Sequence, residues 1–133
     1  MNLRFLSLAS GSSGNCYYLG NDEYGILIDA GIGIRTIKKH LKEHNIPFEN
    51  IVGLCITHDH ADHIKSAGCL GEKYFIPVYT TKEILAGMNR SYCMTEKIYT
   101  ACHPICKEVL RFGILRLLRS KFPMTVRIMS VIL

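Results

Sequence analysis

An uninterrupted apolar run leads directly into a cluster of histidines and aspartates near the middle of the chain. Residues 51–57 read IVGLCIT, and this β-branched run is typical of a strand buried on both faces. Residues 58–63 read HDHADH and hold three imidazoles and two carboxylates. We therefore predict that a buried strand ends here and presents this HDHADH motif at the edge of a sheet.

The composition of the motif favours metal binding. Imidazole nitrogens and carboxylate oxygens hold zinc, manganese or iron in open catalytic sites, whereas closed structural zinc sites lean on thiolates. In an extended segment His58 and His60 point the same way and can share one ion, while a turn lets Asp62 and His63 face a second. Two such ions activate a water and clamp an ester or phosphodiester, so we predict hydrolysis. Surface histidines in a polar loop, or a chance cluster, are the alternative.

The segments around the motif alternate between strand and helix patterns. Before residue 30, apolar stretches separated by turn-like glycine, serine and asparagine residues predict a β-meander. Apolar side chains at helical spacing predict a surface helix over residues 34–44. After the motif we predict a helix over 64–72, a strand over 76–80 and a helix over 82–88. This order is that of an α/β layered domain.

The net charge of +5 is confined to the end of the chain. Residues 1–106 hold ten basic and ten acidic side chains, whereas residues 107–133 hold six basic and one acidic. The basic balance therefore does not by itself indicate a nucleic-acid partner. We predict a cytoplasmic protein without a membrane span, because no signal peptide is recognisable and charges interrupt the most hydrophobic stretch. In that reducing compartment the six cysteines should be free thiols.

The HDHADH motif resembles the signature of the metallo-β-lactamase superfamily, H-x-H-x-D-H after a buried strand. An upstream strand ending in an aspartate, here LIDAG at residues 27–31, belongs to the same pattern. Residues 8–17, LASGSSGNCY, are similar to a subgroup of cytosolic bacterial members regarded as exonucleases. The resemblance covers roughly residues 1–113 of a domain usually about twice this length. It implies the N-terminal half of an αββα sandwich and a metal-dependent hydrolase of phosphodiester bonds, with DNA as the expected substrate.

The resemblance also assigns roles to the side chains of the motif. His58 and His60 would bind the first of two divalent ions, zinc or manganese, and Asp62 and His63 would bind the second. Asp62 would in addition be the catalytic residue beside the nucleophilic water. The family's remaining ligands would come from later in the sequence, so the metal site of this chain would be partial.

Two aspartates and two glycines near the motif are further candidates. By the same resemblance, Asp29 and Asp59 would orient metal-binding imidazoles by accepting hydrogen bonds from the N–H groups of those rings. For Asp29, a carboxylate that caps or is solvated at a strand end is an open alternative. Gly11 and Gly14 could turn backbone N–H groups toward a substrate anion, although a plain turn between strands explains them equally well.

The end of the chain breaks from the family pattern. The family needs two further histidines and a bridging aspartate after residue 113, and residues 114–133 contain neither residue type. Met124-Thr125 requires the bases ATGAC, which in a neighbouring frame read as a codon ending in AT, such as one for histidine, followed by aspartate. Restoring one base after Gly113 lets the tail read DFTITAFEVPHDSTDNVGYF, which resembles the family's next ligand motif. We therefore predict that residues 114–133 are out of frame and that the product is truncated.

Two alternatives remain open, one to enzymatic activity and one to the frameshift. A truncated chain could be a catalytically inactive fragment that binds metal without turnover. The tail could instead be a genuine basic amphipathic segment that packs on a partner or lies on an anionic surface. Sequencing the encoding DNA tests the frameshift, because an intact frame ending at Leu133, with no family-like sequence beyond it, would refute the hypothesis.

Overall fold

The computed structural model describes residues 4–94 and 96–99, together with the backbone of residues 102–104. Within these residues, six strands form one sheet in which neighbours in the chain are also neighbours in space. The strands are β1 (Arg4–Ala9), β2 (Cys16–Gly20), β3 (Gly25–Ile28), β4 (Ile51–Cys55), β5 (Val78–Thr80) and β6 (Cys102–Pro104). The helices are α1 (Ile34–Glu43), α2 (Ala61–Ile64), α3 (Ala67–Glu72) and α4 (Lys82–Arg90), with a 3-10 turn at Phe48–Asn50 before β4.

The sheet is antiparallel on one side and parallel on the other. β1, β2 and β3 form antiparallel pairs, whereas β3, β4, β5 and β6 pair in parallel. Parallel neighbours require crossover connections, which here contain α1, then α2 and α3, then α4. The predicted meander and the predicted α/β class are confirmed. The carboxyl ends of β3, β4 and β5 consequently meet at one edge of the sheet.

One row of apolar side chains crosses five strands. Tyr18 of β2 pairs with Leu6 of β1 and with Leu27 of β3. Leu27 pairs in turn with Leu54 of β4, which pairs with Val78 of β5. Because residues opposite each other in a sheet share a face, these side chains form a continuous apolar surface. They pack in one buried cluster with side chains from three helices: Ile37, Leu41, Leu70 and Met88.

The segment after the HDHADH motif is not the single helix predicted over residues 64–72. The structure has α2 and α3 there, separated by Lys65 and Ser66. The N–H of Ser66 donates to the carbonyl of Ala30 at 2.8 Å, and its hydroxyl donates to the carbonyl of Ile32. These bonds tie the chain to the segment that follows β3 and interrupt the helix. The helix prediction is confirmed over residues 67–72 as α3 but is wrong at residues 65 and 66, because the hydrogen-bond partners of Ser66 are distant in sequence.

The other element predictions differ from the structure mainly at their ends. The helices predicted over residues 34–44 and 82–88 are confirmed as α1 and α4. The strands predicted over residues 51–57 and 76–80 are confirmed as β4 and β5, although both are shorter than predicted. β4 ends before Thr57, because the N–H of that residue donates to a side chain and not to a strand.

The structure bears on the predictions about thiols and membrane spans but not on the prediction about the tail. The four cysteines whose side chains the structure describes are free, namely Cys16, Cys55, Cys69 and Cys93. None of the helices in the described part of the chain has the length and hydrophobicity needed to cross a bilayer. The predicted boundary at residue 113 and the predicted out-of-frame tail, residues 114–133, lie outside the described residues.

Candidate metal centre

The HDHADH motif begins just beyond the carboxyl end of β4 and continues into α2. His60 immediately precedes α2 and keeps an extended backbone, with φ −75° and ψ 151°. Asp62 and His63 lie within α2, so the backbone changes direction between the first and second pairs of predicted ligands. This is the turn that the sequence predicts. The first and second pairs of predicted ligands therefore leave the backbone in different directions at the sheet edge.

The buried carboxylate of Asp29, just after β3, forms hydrogen bonds that support the motif. Asp29 is fully buried, and its backbone lies in the left-handed region with φ 63°. Its Oδ1 accepts from the N–H of Thr57 at 2.8 Å, and its Oδ2 accepts from the Thr57 hydroxyl at 2.7 Å. Oδ2 also lies 2.7 Å from Nδ1 of His63. The predicted contact between Asp29 and an imidazole is present, and the alternative of a solvated carboxylate is excluded.

Three of the four predicted ligands converge. The rings of His58 and His63 lie with their centroids 4.5 Å apart. Nε2 of His63 is 3.7 Å from Oδ2 of Asp62, and Nδ1 of His63 is occupied by Asp29. Ligand atoms of Asp29, His58 and His63 also lie within 4.8 Å of one another. Asp29 is nevertheless a poor ligand, because its oxygens already accept three hydrogen bonds and no solvent reaches it.

His60 stands apart from the other three predicted ligands. Its ring centroid is 6.0 Å from that of His58, and its side chain is 74% exposed. Nε2 of His60 is 3.9 Å from Oδ1 of Asp59, which is too long for a hydrogen bond. The predicted orienting bond, in which Asp59 would accept from an imidazole N–H, is therefore not formed with His60. The carboxylate of Asp59 lies instead against Gly87 of α4, where any side chain would overlap it.

Burial and charge shift the two inner imidazoles in opposite directions. The pKa of His58 is lowered, first because burial penalises its charged form and second because His63 lies beside it. Burial also acts to lower the pKa of His63, but the hydrogen bond to Asp29 and the charges of Asp29 and Asp62 outweigh it, so this pKa is raised. His58 thus favours the neutral form that binds metals. His63 retains its proton to higher pH, and a cation must displace that proton.

Asn15 is a site residue that the sequence analysis missed. Its backbone N–H donates to the carbonyl of Asp62 at 2.7 Å, and its Nδ2 donates to the same carbonyl and to Oδ2 of Asp62. Its Oδ1 accepts from the N–H of Gly11, while the N–H of Gly14 donates to the carbonyl of Gly11. These two glycine N–H groups are therefore engaged within the loop, and the hypothesis that they face a substrate anion is wrong. The only sequence signal for Asn15 was its place in the glycine-rich turn.

Gly31 provides the space in which these segments meet. Its N–H donates to the carbonyl of Asn15 at 2.9 Å. A Cβ at this position would overlap the carbonyl group of Asp62 and lie 2.8 Å from the backbone nitrogen of Asn15. Backbone atoms cannot rotate away as a side chain can, so only glycine fits. The LIDAG pattern thus contributes both the carboxylate at Asp29 and the close approach at Gly31.

Comparison with known proteins assigns the family. Residues 9–101 match the family model of the metallo-beta-lactamase superfamily. The chain therefore belongs to the metallo-β-lactamase superfamily, as its motif implied. The crystal structure of the BLEG-1 B3 metallo-beta-lactamase shares the fold, with a TM-score of 0.59 and 22% sequence identity over 79% of this chain and 54% of that one.

Two bacterial relatives are more similar in sequence. The chain is 41% identical over 89 residues to exodeoxyribonuclease YycJ of Bacillus anthracis, a match that covers 67% of this chain and 34% of the relative. It is 36% identical over 91 residues to exodeoxyribonuclease WalJ of Streptococcus pneumoniae serotype 2 (strain D39), covering 68% of this chain and 34% of the relative. The chain thus spans about a third of the length of these curated relatives.

Proposed function

We propose that this chain carries the first ligands of a two-metal centre that hydrolyses phosphodiester bonds in DNA. The observation that carries the proposal is the convergence of His58, Asp62 and His63, with Nδ1 of His63 bonded to a buried carboxylate. In this proposal His58 and His60 bind one zinc or manganese ion, and Asp62 and His63 bind the other. DNA is the proposed substrate because two relatives are named exodeoxyribonucleases.

The donor set fits a divalent cation. The bond between Nδ1 of His63 and Asp29 leaves Nε2 for a metal, an arrangement that orients imidazole ligands in metalloproteins. The 3.7 Å between this Nε2 and Oδ2 of Asp62 is a spacing that two ligands of one ion can adopt, since each bond to zinc is about 2.0–2.2 Å. The ligands are nitrogen and oxygen, which is the chemistry of open catalytic sites and not of closed structural ones.

Asp62, Asn15 and Asp29 have different roles in the proposed hydrolysis. Bound divalent ions would supply Lewis acidity, which activates a water and neutralises charge on the scissile phosphodiester. Asp62 is half-buried, and Asn15 holds its Oδ2 through a 3.1 Å hydrogen bond. Its other oxygen, Oδ1, has no hydrogen bond among the described residues and is the proposed proton acceptor. Asp29 keeps the His63 ring fixed while this happens.

A second candidate function is metal binding without turnover. The support for it is that the chain spans about a third of the length of its curated relatives, and four proposed ligands fall within the described residues. We also propose a cytoplasmic location, a reducing compartment in which thiols stay free. The two candidates differ in a single respect, which is whether DNA is cleaved when the chain is loaded with metal.

A nuclease assay on the metal-loaded chain separates the candidates. End-labelled linear DNA is incubated with the chain and Mn²⁺ or Zn²⁺, next to covalently closed circular DNA that offers no ends. Metal-dependent loss of the linear substrate, abolished by His60→Ala and retained by His40→Ala on α1, supports the nuclease. Metal uptake without any cleavage of DNA supports the second candidate, metal binding without turnover. Loss of activity in both variants alike would contradict the assignment of His60 as a ligand.

A further inference from the structure

The hydroxyl of Thr57 bridges the buried carboxylate and the first histidine of the motif. Its Oγ1 lies 2.7 Å from Oδ2 of Asp29 and 2.8 Å from Nδ1 of His58. The backbone N–H of Thr57 donates to Oδ1 of Asp29 at 2.8 Å. Two bonds therefore hold Thr57 to Asp29, and its hydroxyl is fixed in place toward the His58 ring.

The number of protons on these groups determines which nitrogen of His58 is protonated. A hydroxyl has one proton to donate, and Thr57 donates it to the Asp29 carboxylate. Toward His58 the same oxygen can therefore only accept, so Nδ1 of His58 must carry a proton. In a neutral imidazole with a proton on Nδ1, the other nitrogen, Nε2, has a free lone pair. That lone pair is what a metal ion requires.

We propose that Thr57 is a positioning residue that fixes the Nδ1–H tautomer of His58 and thereby presents Nε2 to the metal centre. The hydrogen bonds from Asp29 through Thr57 to His58 form a relay. Asp29 thereby supports two imidazoles, because it also contacts His63 directly. The relay's consequence for metal affinity rests on the proposed metal-dependent function, whereas the tautomer itself does not. Losing such a partner typically lowers metal affinity by about tenfold to a hundredfold.

The tautomer can be measured without any metal. The full chain is labelled with ¹⁵N-histidine, kept in a chelator at a pH where the imidazoles are neutral, and studied by long-range ¹H–¹⁵N correlation. The His58 signals are assigned with His58→Gln. We expect a protonated Nδ1 and an unprotonated Nε2 on His58. Free histidine in water prefers the opposite tautomer, so an Nε2–H signal for His58 in the unmodified chain would overturn the relay without recourse to any further variant.

Three variants test whether the hydroxyl is the cause. Thr57→Val keeps the shape but removes the hydroxyl, and we expect His58 to shift toward the Nε2–H tautomer. Thr57→Ser restores the hydroxyl and should restore the Nδ1–H tautomer. Thr36→Val, on the exposed surface of α1, should leave the His58 signals unchanged. An Nδ1–H tautomer that persists in a folded Thr57→Val chain would contradict the proposal.

Titration with Zn²⁺ gives the second measurement. Thr57→Val should weaken binding by about tenfold to a hundredfold, and Thr57→Ser should bind as the unmodified chain does. Equal affinity in all three chains would overturn the positioning role. A chain that shows the expected tautomers but cleaves no DNA would count against the proposed nuclease and leave the relay standing.

Discussion

The side-chain amide of Asn15 donates to Oδ2 of Asp62 at 3.1 Å, although 47 positions separate the two residues in sequence. The carbonyl of Asp62 also accepts from the backbone N–H and from the amide of Asn15. The turn between β1 and β2 is thereby joined to α2 at one of the proposed metal ligands. The direction of the Asp62 carboxylate is therefore constrained by a residue of the turn between β1 and β2.

Replacing Asn15 should weaken metal binding through Asp62. In Asn15→Ala the Asp62 carboxylate loses a donor and gains freedom to rotate, so we expect the dissociation constant for Zn²⁺ or Mn²⁺ to rise about tenfold. Isothermal titration measures it. Asn50→Ala is the matched control, because Asn50 also donates its amide to a carbonyl, that of Asp22, at an exposed position. Equal dissociation constants in the Asn15 variant and the unmodified chain would show that Asp62 does not depend on Asn15.

A methyl group at position 31 should separate two segments that now touch. Gly31→Ala forces Asp62 and Asn15 apart, and overpacking of this kind costs about 1–3 kcal/mol of the free energy of unfolding. Gly33→Ala, two residues later, places its Cβ where no atom lies within 4 Å and should leave stability nearly unchanged. Urea denaturation of both variants provides the comparison. Similar losses in the two would indicate a general effect on the loop.

The buried thiols should resist alkylation in the folded protein. Burial, followed by the charge of Asp29, raises the pKa of Cys55 to about 12, and the pKa of Cys16 is raised for the same two reasons. Cys69 and Cys93 are only half-buried. With iodoacetamide near pH 8 we expect Cys16 and Cys55 to react about a hundredfold more slowly than Cys69, because little thiolate is present.

Peptide mapping by mass spectrometry follows each of these thiols separately. The control is the same reaction in denaturant, where the differences between cysteines should disappear because Cys16 and Cys55 are no longer buried. Rapid labelling of Cys55 under native conditions would contradict its described burial.

The raised pKa of His63 predicts opposite pH responses with and without metal. Because the folded-state pKa lies above the unfolded value, protonation of His63 stabilises the metal-free fold. That contribution is complete below about pH 6.5 and is lost as the pH rises through the raised pKa. The chain in a chelator should therefore lose stability as the pH rises above about 6.5. With Zn²⁺ present the stability should instead rise, since the ion binds the deprotonated ring.

Urea midpoints across this pH range measure both responses. His63→Gln removes the titrating group, so in the chelator its midpoint should change less with pH than that of the unmodified chain. A midpoint that rises with pH in the metal-free chain, and rises equally in His63→Gln, would show that His63 does not control stability in this range.

The sequence predicts those parts of the site that depend on local pattern. The apolar run before His58 places the motif at the end of a buried strand, and alternation between strands and helices gives the α/β class. The contacts that connect segments could not be predicted in this way. Ser66 interrupts a helix because its hydrogen-bond partners lie in the segment after β3. Asn15 contacts Asp62 only once the sheet has formed.

The position of His60 marks a different limit. Alternation in an extended segment predicts that it shares an ion with His58, and the structure places its exposed ring 6.0 Å away. Whether a cation draws the two rings together depends on the energy of metal binding, which a pattern of residue types does not contain. Their shared ion therefore stays a prediction.

Metal uptake by the chain is the decisive measurement. The purified chain, stripped with chelator, is titrated with Zn²⁺ and Mn²⁺ and its bound metal is measured by mass spectrometry. We expect at least one bound ion, lost or weakened about a hundredfold in His63→Ala and in Asp62→Ala, and retained in Asp22→Ala at an exposed turn. A chain that takes up no transition metal, or that binds equally well without His63 and Asp62, would contradict the assignment of these residues as ligands.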